Sequence, residues 1–262
     1  MVYTICYAFV FLAEILISLF YFENKFERKS SKKFLLFSVV IVYVLLYLSR
    51  LLNLTLVNLI AFFACNFFLL YFCYFISIKS CIFHCSILLI FMAITESIVL
   101  FVSTVLFGTD FFTSLDNSLS LIIQATISKL LYFLIIYFVS KFSIKEHKSE
   151  SYSLSIPLLV LPASSILLLY AVSHALHNFD LEQKYIYLLI ISMVLLLFSN
   201  IAVFWVYEFT LKTQRHNMKL EYERQKEKST AEYYDLLNEQ NDRFNIRGCK
   251  LYKSTFYNIT KV

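Results

Sequence analysis

Two glycines and two prolines are all that this 262-residue chain contains. That scarcity leaves little to break a helix, and it rules out glycine-rich phosphate loops: no Walker A motif occurs. No HExxH zinc motif and no GxSxG nucleophile elbow are present either. Charge is also scarce, at 16% of residues, where soluble domains carry about 25%. No positive segment precedes the first apolar run and no small-residue cleavage site follows it, so residues 2–22 are expected to be a retained span rather than a signal peptide.

What fills the chain instead is apolar surface. Sixty per cent of residues are hydrophobic and the mean hydropathy is +0.71. One soluble core of this size does not hide that much oil; a bilayer does. Backbone in hydrocarbon must satisfy its own hydrogen bonds, which leaves helices or a closed barrel. A barrel needs short alternating strands, whereas this chain has long unbroken runs. The expected fold class is an all-α membrane protein.

Seven runs are expected to span: residues 2–22, 34–49, 54–78, 81–107, 119–140, 152–174 and 185–209. The second is the weakest. Its 16 residues cover about 24 Å against a core of about 30 Å. It gains length by borrowing Arg50, Leu51 and Leu52 if Arg50 snorkels to the interface; otherwise six spans remain. With the C-terminus inside, the inner loops carry Lys25, Arg28, Lys29, Lys32, Lys33, Lys79, Lys141, Lys145 and Lys148, and the outer loops only Arg50 and Lys184. That asymmetry places the N-terminus outside.

After Phe209 the composition changes abruptly. Residues 210–262 hold eleven Lys or Arg and seven Asp or Glu. Charge pairs at helical spacing, such as Lys219 with Glu223 and Glu239 with Arg243, predict a membrane-proximal helix. Leu211, Met218, Tyr222, Tyr233, Leu237 and Phe244 form a broken apolar stripe, which suits either a two-stranded pairing or a solvated helix. The chain therefore divides into a polytopic membrane bundle (1–209), a membrane-proximal helix suited to dimerisation (210–246) and a frayed end (247–262).

Ionisable residues inside spans are functional candidates by default. Glu14, Glu96 and Lys129 are the three, with Asn66, Gln124 and Asn200 as polar company. Lys129 is expected to pair with Glu96 or Glu14, either as an interhelical pin or as part of a pocket, ion path or switch. Gln124, near the outer end of its span, joins Asp110, Asp116, His174 and His177 as candidate ligand-binding residues at the outer mouth. Of the six cysteines, Cys81 and Cys85 flank His84, but zinc would lack further ligands there. His84 and Cys85 diverge by about 100° on one helix, which counts against a cysteine–histidine enzyme. No cofactor, metal or nucleic-acid partner is expected.

The segment Tyr233-Tyr234-Asp235-Leu236-Leu237-Asn238-Glu239-Gln240, running into Arg243 and Phe244 behind a bundle with short outer loops, resembles the sensor half of the peptide-pheromone receptor histidine kinases of Gram-positive bacteria, the AgrC-like family. The resemblance implies an extracellular peptide signal and a helix that dimerises, with a second copy or an intact homologue. It also implies a phospho-acceptor box and an ATP-binding domain. Arg247 fits the start of that box, but Gly248 stands in place of the acceptor histidine and Cys249 in place of the aspartate, so no catalysis is expected from these residues. Two functions follow: a signal-sensing membrane module, or a small transporter using Glu14, Glu96 and Lys129.

Overall fold

The computed structural model describes residues 2–52, 54–107, 117–143, 145, 160, 164–168, 171 and 183–259. Six long helices organise them: α1 (Val2–Lys25), α2 (Lys32–Arg50), α3 (Thr55–Cys73), α4 (Ile78–Phe107), α5 (Asn117–Phe142) and α6 (Gln183–Ile259). Among the described residues there is no strand, only an isolated antiparallel bridge between Arg28 and Tyr74. All six helices contain stretches long and apolar enough to cross a membrane. The run expected at residues 152–174 lies mostly outside the described residues.

The second run reaches spanning length by a different route from the one its sequence suggests. Lys32 and Lys33 join at its start and Arg50 at its end, giving 19 residues, or about 28 Å. Leu51 and Leu52 form a turn instead. Ser31 caps the helix, its Oγ accepting from the Phe34 amide at 3.3 Å, which satisfies one of the orphan donors of the first turn. Arg50 donates to the Tyr7 hydroxyl at 2.8 Å and lies over that ring at 4.2 Å, tying the end of α2 to the start of α1.

The chain divides into two units, residues 1–209 and 210–262. In the first, α1, α3, α4 and α5 form a closed ring of neighbours, and α2 packs outside against α1 and α3. α1 and α5 run parallel: Glu14 meets Lys129, and Phe20 meets Phe133 and Tyr137 further on. The bundle part of α6 packs on α4, where Met193 joins Ile90, Ile94 and Phe101. Rows of apolar side chains remain exposed on the outside, among them Leu36, Phe37, Leu130 and Phe138. Such a surface suits hydrocarbon rather than water.

In the second unit the helix carries exposed Met218, Tyr222, Tyr233 and Leu237, while Leu211 is buried. Helix continues to Ile259, past Asn245, where the lapse of the charge pattern predicts a frayed end. No proline intervenes, and the single Gly248 costs only about 1 kcal/mol in a helix.

Candidate functional site

The ring places three ionisable residues on facing sides of neighbouring helices. Lys129 of α5 hydrogen-bonds Glu14 of α1 and Glu96 of α4 at once. The sequence left the partner open; the structure brings both to the same ammonium. Lys129 is 8% exposed and Glu14 6%, whereas the Glu96 side chain is 45% exposed. Tyr132, one turn below Lys129 and fully buried, stands near both carboxylates. An unpartnered charge in such surroundings is costly enough to be avoided, so the cluster holds three helices in one register. It contains two carboxylates and one ammonium, and its formal charge is therefore unbalanced.

A second polar centre lies at the end of the bundle where α1 stops and α4 begins; we call this end the base. Lys25, the last residue of α1, pairs with Glu208 of α6, and both side chains are almost wholly buried. The Ser143 hydroxyl reaches the same carboxylate at 3.5 Å. Beside this pair the His84 ring sits among Tyr21, Phe26, Phe83, Phe204 and Tyr207. Its Nδ1 is 2.7 Å from the Tyr21 hydroxyl, and the Tyr207 hydroxyl is 3.1 Å from Ser80 Oγ. Two helices, α1 and α4, thus meet α6 and each other through aromatic rings, and the Tyr21 and Tyr207 hydroxyls are hydrogen-bonded, the arrangement buried tyrosines favour.

The base loops are joined as well. The Lys29 amide donates to the Cys73 carbonyl at 2.8 Å and the Phe75 amide to the Glu27 carbonyl at 3.0 Å. Arg28 Nε donates to Glu23 at 3.1 Å, and Tyr74 donates to the same carboxylate at 2.8 Å. Burial, then the neighbouring Glu23 carboxylate, pushes the Tyr74 phenol above its ordinary range. The Glu23 hydrogen bond raises the Arg28 guanidinium further.

This base centre was missed by sequence reasoning. Lys25 was counted among inner-loop cations, but it is a buried ion-pair partner. Glu208 sits one residue before the end of its apolar run, where a carboxylate looks interfacial. The usable signal was a carboxylate inside the end of an apolar run.

The polar companions divide. Asn200 of α6 donates to Ser165 at 3.0 Å. The Asn66 amide donates to the Phe62 carbonyl of its own helix at 2.9 Å. Gln124 is half-buried on α5, five residues before Lys129. Asp110, Asp116, His174 and His177 lie outside the described residues, as does the Phe244 side chain. Cys81 and Cys85 are buried on α4 as free thiols.

No family model matches the chain, and no curated protein or solved structure does either.

Proposed function

We propose that this chain is a signal-sensing membrane module with its N-terminus outside and its C-terminal helix in the cytoplasm. An effector at the outer side of the bundle favours one packing of the spans, and the last span passes that change to the tail helix. The effector class that the AgrC-like resemblance implies is an extracellular peptide. The observation that carries this reading is the buried Lys25–Glu208 pair. It fastens α6 to α1 immediately before the sequence turns from apolar to charged at Thr210. A change in the bundle therefore has a defined point at which to act on the helix that continues into residues 210–259. In this reading the tail acts through a partner, a second copy or an intact homologue, as the AgrC-like resemblance implies.

The test uses the full chain in membranes. Protease should cut residues 210–262 only in inside-out vesicles. In a Cys249→Ser background, Tyr222→Cys should form an intermolecular disulfide, and the yield should change when Glu208→Gln loosens the base. Cleavage in right-side-out vesicles overturns the reading. So does an unchanged yield in a Glu208→Gln variant that stays monodisperse.

A second reading, a small transporter or channel-like protein, is favoured by the buried Glu14–Lys129–Glu96 cluster. It predicts solute flux in proteoliposomes that Lys129→Ala abolishes.

A further inference from the structure

Between α1 and α5 lies an open cleft of about 730 Å³, within the range of sites that hold small ligands, about 300–1,000 Å³. Because the two helices run parallel, the cleft is a slot, from Cys6 to Ile17 on one wall and Ile122 to Phe133 on the other. Eleven residues of helix make it about 16 Å long. The small side chains of Ala13 and Ala125 open its middle, and its walls are otherwise overwhelmingly apolar.

Lys129 is the one charged group among the described residues lining it, and that residue is itself only 7% exposed. An ammonium has three N–H donors. Glu14 and Glu96 take two, which leaves one N–H on a residue that lines the cleft.

Charge then selects the occupant. Two carboxylates already face one ammonium, so a further anion meets repulsion at short range in a medium that screens poorly. A cation entering the slot meets the ammonium first. A neutral carbonyl oxygen accepts the third hydrogen bond without adding charge, and a hydrocarbon chain fills the rest.

We propose that the α1–α5 cleft binds a neutral, single-chain lipid ester, its carbonyl oxygen accepting from Lys129 and its chain lying along Ala13 and Ala125. The site stands apart from any role of the tail helix and from the peptide effector.

The test is photolabelling of the full-length protein in phosphatidylcholine vesicles. The probe is the glycerol monoester of a diazirine-bearing lauric acid, and the matching free acid at neutral pH is its control. The ester should label Val10, Ala13, Ala125 and Thr126, and unlabelled monolaurin should displace it where laurate does not. Lys129→Met should weaken labelling about tenfold, the worth of a charge-assisted hydrogen bond. Ala125→Leu, which fills the slot and leaves the ion cluster untouched, should abolish it. Equal labelling by the free acid overturns the proposal. So does label spread evenly over the lipid-facing side chains of all helices, or labelling unchanged in Ala125→Leu.

Discussion

Replacing Lys129 by methionine keeps the length of the side chain and removes the ammonium that Glu14 and Glu96 share. The native cluster sets two carboxyl groups against one ammonium; Lys129→Met leaves the two with no cation. Stranding a buried charge by removing its partner costs about 3–5 kcal/mol. Glu14→Gln leaves a neutral Lys129–Glu96 pair and loses a charged hydrogen bond at a site 6% exposed, for about 1.5–3 kcal/mol. Glu96→Gln leaves the buried Glu14–Lys129 pair neutral. Its own side chain is 45% exposed, so its contribution resembles that of a surface pair, about 0–1 kcal/mol. The expected order of damage is therefore Lys129→Met, then Glu14→Gln, then Glu96→Gln. The triple variant, which carries no charge at all, should be more stable than Lys129→Met alone. Unfolding in mixed micelles, followed by helical circular dichroism and by the single tryptophan, Trp205, measures all four. If Glu96→Gln costs as much as Glu14→Gln, or Lys129→Met stays within about 1 kcal/mol of the native protein, the reasoning from burial and charge count is wrong.

The base pair should behave as a unit. Lys25→Met and Glu208→Met should each destabilise by about 3–5 kcal/mol and the double variant by much less, measured as a double-mutant cycle in the same micelles; additive costs would refute the pairing. Tyr74, whose phenol is raised by burial and by Glu23, should stay protonated where exposed tyrosines ionise. Its folded form holds the proton more tightly than the unfolded one, so it stabilises the fold below about pH 10, and that contribution is lost as pH rises further. Ultraviolet difference titration should show Glu23→Gln shifting that tyrosine back toward its ordinary range. Asn200→Ala should cost about 1 kcal/mol and loosen α6 from residue 165, read by hydrogen exchange along residues 183–209.

Much of the bundle was legible because oil is conspicuous. Long runs without glycine or proline have one structural solution in hydrocarbon, and Glu14, Glu96 and Lys129 stand out inside them as charges that must find partners. Which partner each finds was not legible, since three helices separated by loops have several registers. The base was harder still. Lys25 and Glu208 are 183 residues apart, and each sits at a span end where a charge ordinarily reaches water. Asn66 shows a local solution that spacing alone does not single out: its own helix offers a carbonyl one turn back, at Phe62. The peptide-receptor resemblance rests on the tail segment, where Tyr233, Tyr234, Leu236 and Leu237 are exposed.

The stitching of the base loops has a consequence of its own. Residues 27–30 and 73–75 are held to each other by main-chain donors and acceptors, so the floor under the two helical hairpins is independent of most side chains there. Lys29, Lys32 and Lys33, all exposed, are thereby released from structural duty and can meet anionic headgroups. What that floor forbids is proline at 29 or 75, where the missing amide hydrogen would let α1–α2 and α3–α4 drift apart as separate hairpins.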